Sequence, residues 1–392
     1  MLLNSGGIIR YSGQSSPFFK LAFVTGLLTV ITLGIYRFWA KTRLRKYIWS
    51  SISVDGDAFE YTGTGLEKLL GFLVAIVFLA VYLTAIQLIL TFAGLGIVSA
   101  QGNELAVLAS VYLSFFAVVP FLLFAIYRSR RYKLARTRFR GIRFGMESAA
   151  WGYAFRAIGH YLLTALTLGI LLPRQSFYLE KFMTDRSYYG DARFEQGGRW
   201  QMLYAALKHV LIGLGLLIAG GIIGALAGPT LGTVLGVVGY FWFMIGFVYY
   251  RVKSYAILAN HKTLGGQVTF TAEPSTGKIL TTVILGGLAL ALAAGVAFGI
   301  LGAIVATSVS GSGLANTPSM AVIIPMVIVY LLIIAALGAL ALVMITQPVI
   351  AHLATTLRIH NSEALAGVQQ RASDAGADAD GFADALDIGG AI

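Results

Sequence analysis

Apolar residues along this chain fall into three very long runs and two shorter ones, separated by brief polar stretches. Leu69–Ala100 and Leu105–Tyr127 form the first long stretch, split by Gln101-Gly102-Asn103-Glu104. Val210–Tyr250 contains no charged residue and breaks at Gly228-Pro229. No charged residue lies between Lys278 and Arg358, and that stretch breaks at Ser308–Ser319, rich in Ser, Gly, Asn and Pro. A spanning helix needs about 20 apolar residues, so each stretch predicts a pair of crossings. With no water to satisfy backbone groups, these crossings are helices. The shorter runs are Leu21–Tyr36, between Lys20 and Arg37, and Ala157–Pro173, between Arg156 and Arg174. Both carry a Thr-Leu-Gly step, Thr32–Gly34 and Thr167–Gly169. Gly costs about 1 kcal/mol in a helix interior, so Thr32, Gly34, Thr167 and Gly169 are the candidate membrane breaks.

The polar stretches repeat. Ile9-Arg10-Tyr11-Ser12-Gly13 alternates and then turns, and Phe59-Glu60-Tyr61-Thr62-Gly63 resembles it. Looser versions stand at Ile142–Gly145, Ala192–Phe194 and Val268–Thr271. The repeating unit is a short strand, a turn, a membrane segment and a basic juxtamembrane helix, in about five internal repeats of unequal length. The expected fold is therefore an all-α polytopic membrane protein with six long transmembrane helices and two short segments. Short cytoplasmic strands from the repeats pair into a small sheet, since strands left alone are marginal. Residues 1–360 form the membrane domain. Residues 361–392, with Asp374, Asp378, Asp380, Asp384 and Asp387, read as a disordered acidic tail rich in Ala and Gly.

Charge orients this arrangement. The chain is 57% hydrophobic and 12% charged, against about 25% charged in soluble domains. Its net charge of +12 would raise nucleic acid as a partner in a soluble protein. Here the basic residues border apolar runs, so anionic lipid is the expected partner, at about 1 kcal/mol per basic residue, and nucleic acid is not. Membrane-surface candidates are Arg37, Trp39, Lys41, Arg43, Arg45, Lys46 and Trp49 after the first run, then Arg128, Arg130, Arg131, Lys133 and Arg136. The breaks inside the three long stretches carry no Lys or Arg. The positive-inside rule then puts every basic segment, and the C-terminus, in the cytoplasm. If the two short runs crossed once each, flanking basic loops would face opposite sides. Two readings stand: both runs re-enter on the cytoplasmic side, or they are short simple spans accommodated by bilayer thinning.

The chemistry-bearing patterns are sparse. There is no Cys, which excludes disulfides, thiolate zinc sites and cysteine nucleophiles. His160, His209, His261, His352 and His360 never form His-Glu-x-x-His. No phosphate loop or G-x-S-x-G elbow is present. No cofactor is called for. The N-terminus shows no cleavable signal peptide. The long runs hold no Asp, Glu, Lys or Arg at their centres, which argues against proton coupling or charged cargo.

The runs TLGIYRFWAKTRLRKYIWSS and DGDAFEYTGTGLEKLLGFL are similar to the YjgN family of bacterial inner-membrane proteins, catalogued as a domain of unknown function. The resemblance implies a multi-pass inner-membrane protein with no assigned activity, and a membrane-associated metallopeptidase as candidate partner. Three functions follow in order: a non-enzymatic scaffold or accessory protein binding anionic lipid and a protein; a channel or carrier for a neutral or lipidic solute; and last a lipid-modifying enzyme, which lacks an acid–base pair at membrane depth.

Overall fold

The computed structural model describes residues 6–92, 104–310 and 320–372. Its strands are short, and they occur in hairpins that return the chain to one sheet. Strand β1 (Ile9–Tyr11) is followed by β2 (Ile52–Val54) and β3 (Asp57–Tyr61), β4 (Thr137–Phe139) and β5 (Ile142–Met146). Then come β6 (Ser187–Tyr189) and β7 (Ala192–Gln196), β8 (Lys262–Leu264) and β9 (Val268–Ala272), and finally β10 (Leu357–His360). All ten pair antiparallel in chain order. The Gly7 N–H donates to the Ile359 carbonyl at 2.7 Å and joins the two ends. The sheet is thus a barrel, closed at this point by a single bridge, and closure leaves no edge exposed.

An all-α architecture with a small sheet is therefore too simple. The odd-numbered strands fall where the sequence pattern places them. Their even-numbered partners follow the basic helices directly and are three or four residues long, too short for a period of two to register. Their signal lies in the turns. Asp55-Gly56, Arg140-Gly141 and Gly265-Gly266 all have positive φ, the hairpin chemistry that matches strand twist.

Between strands the chain leaves the barrel as pairs of helices. The long pairs are α3 (Gly65–Phe92) with α4 (Glu104–Ala135), and α7 (Tyr204–Leu226) with α8 (Pro229–Ala259). The third is α9 (Thr276–Ser310) with α10 (Met320–Ala341), which runs through a π-helical turn into α11 (Gln347–Thr355). These make six helices long and apolar enough to cross a membrane. Most of the Ser308–Ser319 break and residues Gln101–Asn103 of the first break lie outside the described residues. Gly213, Gly220, Gly239 and Gly246 line the α7–α8 contact, where a Cβ would lie 2.6 to 2.8 Å from the opposing backbone. That is small-residue packing of membrane helices. Gln87 reaches across from α3 to Ser114 of α4 at 2.7 Å.

The two short pairs are α1 (Ser15–Ile31) with α2 (Arg37–Ser50), and α5 (Ala150–Leu166) with α6 (Leu172–Thr184). Their turns are twins. Thr32 Oγ1 donates to the Leu28 carbonyl and accepts the Tyr36 N–H; Thr167 Oγ1 does the same with Leu163 and Leu171. Leu33 and Leu168 take positive φ of 50° and 48°, each followed by a glycine of positive φ. Both leucines are exposed at the tip. Each pair begins and ends at the barrel: α1 follows β1 and α2 precedes β2, while α5 follows β5 and α6 precedes β6.

Five joints tie the outgoing helix of each unit to the incoming strand of the next. Arg45 of α2 donates to the Tyr61 hydroxyl, and Arg131 of α4 to the Met146 carbonyl. Lys181 of α6 donates to the Gln196 carbonyl. Asn260, just after α8, accepts the Ala272 N–H. Gln347 of α11 donates to the Gly13 carbonyl and completes the circle. The first four joints cap a main-chain or hydroxyl group at the buried last residue of a strand, where an unmet partner would cost about 1–3 kcal/mol; the fifth does so two residues past β1.

Candidate functional site

Alternation along the strands builds the site. Ile9, Phe59, Phe144, Phe194 and Phe270, from the odd-numbered strands, turn inward as one ring. Neighbouring phenyl centroids are 6.3 Å (Phe59–Phe144), 6.5 Å (Phe144–Phe194) and 6.3 Å (Phe194–Phe270) apart. Val54, Phe139, Tyr189, Leu264 and Ile359, from the even-numbered strands, form a second and more deeply buried ring. Their sequence neighbours Glu60, Arg138, Arg193, Thr269 and Arg358 are exposed on the outside. Together the rings enclose an apolar cavity of about 580 Å³, within the range of small-molecule pockets.

The far end is floored by the C-terminal segment. A 3-10 turn, Ser362–Gly367, seats Leu365 in the barrel core. Residues beyond it are pinned across β5–β7. Gln369 exchanges hydrogen bonds with Asp191 at 2.9 and 3.0 Å, Gln370 accepts the Arg143 N–H, and Arg371 lies over the Tyr188 ring. Residues 361–371 of the expected tail are thus packed on the sheet; 373–392 lie outside the described residues.

The near end is roofed by the ends of the helices that lead into the even-numbered strands. Ile48 and Trp49 of α2, Tyr255 of α8, and Ile350 and Leu353 of α11 line it, with Arg130, Lys133 and Leu134 of α4. Arg130 and Lys133 are the charged side chains of the lining, and no carboxylate or histidine joins them. Behind them Arg130 grips Glu180 of α6 with two nitrogens, at 2.7 and 3.1 Å. Lys262 of β8 reaches the same carboxylate at 2.7 Å, and Thr184 donates to it at 3.1 Å. Burial by itself would raise the Glu180 pKa. The two cations outweigh that cost and hold the carboxyl well below the usual carboxylate range. The carboxylate is locked as an anion in a structural ion network. What faces the cavity can hold an apolar chain and an anion.

The sequence-predicted surface residues divide. On α2, Arg43 and Lys46 are exposed, while Arg37, Trp39 and Lys41 are half-buried. Trp49 donates its indole N–H to Thr137 at 3.0 Å. Arg45 is only 2% exposed and stacks 5.0 Å over the Tyr61 ring. It shares the inward helical stripe of Phe38, Thr42 and Ile48, so phase, not composition, takes it off the surface. Arg131 is likewise buried, at 5%. Arg136 pairs with Glu67 at 3.1 Å, and Arg128 lies over Phe124. Arg130 and Lys133 turn to the cavity instead. Thr32, Gly34, Thr167 and Gly169 all sit in the two hairpin turns described above. The cavity rings were not anticipated. The Phe that recurs in β3, β5, β7 and β9, two residues before each strand's last, is the signal that could have found them.

The architecture defines a class: a multi-pass membrane protein whose helix pairs spring from a barrel of short hairpins. The chain belongs to the family described as bacterial protein of unknown function (DUF898), whose profile matches residues 8–384. It is 29% identical over 166 residues to the inner membrane protein YjgN of Salmonella typhimurium, covering 42% of this chain and 38% of that one. A protein of the same name from Escherichia coli is 26% identical over 159 residues, 41% and 36% of the two chains. The alignments thus span well under half of these relatives. No solved structure matches the chain. With six apolar helices and these relatives, the protein is a multi-pass protein of the bacterial inner membrane.

Proposed function

We propose that this protein is a non-enzymatic inner-membrane protein that holds a lipidic molecule in its barrel, as a carrier or as a lipid-responsive accessory. The observation that carries this reading is the apolar cavity of about 580 Å³ at the junction of barrel and helices. Spare volume of this kind is costly in a core whose only task is stability. Purified full-length protein should retain lipid by native mass spectrometry. Phe194→Trp, which fills the lumen, should lower that retention with little change in melting temperature. Equal retention in both proteins would remove the reading.

The barrel is cytosolic in this proposal, because the basic helix ends α2 and α4 abut it. The two short hairpins re-enter: their apolar tips, Leu33 and Leu168, dip into the bilayer and the chain returns to the same face. Single cysteines at the exposed Ser12 and Ser50 should react with an impermeant maleimide only in inverted vesicles. Labelling of the two from opposite faces would overturn re-entry.

A scaffold reading has its own support in the exposed Arg10, Arg138, Arg193 and Arg358 on the outer wall. That wall, which also carries the exposed Glu60 and Glu195, offers a polar face of mixed charge to a partner protein. A membrane-associated metallopeptidase, the partner implied by the family resemblance, is the first candidate to seek in a pull-down.

A further inference from the structure

The cavity is not uniform along its axis. Arg130, Tyr255 and Ile350 each precede the first residue of the following strand by seven positions, about 10 Å along a helix. They mark one level at the roof. Lys133 lies one turn nearer the barrel, level with Ile48 and Leu353. Below Thr137 the lining is hydrocarbon and aromatic down to Leu365. The phenol there, Tyr189, donates to the Phe139 carbonyl at 3.1 Å and so offers the lumen only its ring. Polarity is therefore confined to the end nearest the membrane, and the charge there is positive. In the rim network two cations, Arg130 and Lys262, share the one carboxylate of Glu180.

We infer that the ligand is a single-chain amphiphile with an anionic headgroup, its tail in the barrel and its head at Arg130 and Lys133. This rests on the lipid-binding reading and narrows it. Volume suggests the chain number: about 580 Å³ accommodates one acyl chain among the aromatic rings. Charge sets the head: in a roof of low polarity a carboxylate or phosphate gains from the cationic excess, whereas a hydroxyl meets only its desolvation cost. Depth sets the pose. Basic residues and Trp49 lie at the level where inner-leaflet headgroups sit. The head can stay at the interface while the tail swings out of the bilayer and into the barrel.

Photo-crosslinking tests this with the full chain in nanodiscs. Four diazirine-tailed probes are compared: a fatty acid, a lysophosphatidic acid, a fatty alcohol and a diacyl phosphatidylglycerol. Adducts are mapped by peptide mass spectrometry. The acid, the lysophosphatidic acid or both should label β5, β7 and β9 at roughly tenfold lower concentration than the alcohol does, as expected of one charge-assisted contact. The diacyl probe should label α3, α4 and α7–α10 only. The weighting between the two anionic probes separates carboxylate from phosphate. Equal strand labelling by acid and alcohol overturns the headgroup inference and leaves the cavity reading standing. Strand labelling by the diacyl probe overturns the single-chain inference alone. Probes confined to the membrane helices would end both readings.

Discussion

Tyr189→Ala will cost the protein about 3–5 kcal/mol of stability, the range for a buried aromatic cut to alanine. Tyr189 is 1% exposed and packs 4.8 Å from Phe144 and 6.1 Å from Phe139, ring to ring. Its hydroxyl also closes the Phe139 carbonyl of the neighbouring hairpin. The lumen beside it is already hollow, so the walls have nothing with which to fill a new gap, and the cost belongs at the upper end. Tyr189→Phe keeps the ring and loses one hydrogen bond, so it should cost about 1 kcal/mol. Melting in mild detergent, followed by circular dichroism, separates the two. An alanine variant no less stable than the phenylalanine one would show that the ring is not a core.

The second large effect belongs to Glu180→Gln. The substitution leaves Arg130 and Lys262 facing each other across a neutral amide. Removing one partner of a fully buried ion pair costs about 3–5 kcal/mol. The side chains here are 22% to 32% exposed, so about 2–3 kcal/mol is expected after solvent screening. The effect carries a pH signature. The folded-state pKa of Glu180 is depressed below its ordinary 4.5. Its contribution is therefore fully present above that value and is lost as the pH falls through the depressed one. The wild type should outmelt the variant by a constant margin from about pH 7 to pH 5, and the margin should close in stronger acid. A margin that instead closes on the alkaline side would mean that another group carries the effect.

Much of the membrane part was legible because hydropathy is a local property. Twenty consecutive apolar residues specify a crossing whatever lies elsewhere. The same holds for the Thr-Leu-Gly steps, whose turn is made by residues within one helical turn of each other, as the Thr32 and Thr167 hydroxyl contacts show. The candidate site was legible only in fragments. Arg130 and Lys133 stood in the basic run, but nothing in that run says that they turn to a cavity while Arg131 turns to Met146 and Arg136 to Glu67. Glu180 drew no notice, since its partners lie fifty residues before it and eighty-two after.

The barrel was the least readable element. The even-numbered strands, three or four residues long, carry almost no periodic signal, and a two-stranded hairpin is marginal by itself. Each of these hairpins has a neighbouring strand on both of its edges, and the two end strands β1 and β10 meet only when Gly7 reaches Ile359 across the whole length of the chain.

From its order of residues alone, then, this protein had its six long apolar helices and its two Thr-Leu-Gly breaks, because each of these sums over neighbours in the chain. Tertiary structure decided which cations face inward, that four short hairpins and the two end strands close into one wall, and that the wall surrounds a hollow. Those outcomes depend on pairings between distant segments, and no stretch of the chain encodes its partner's position without the fold that brings them together.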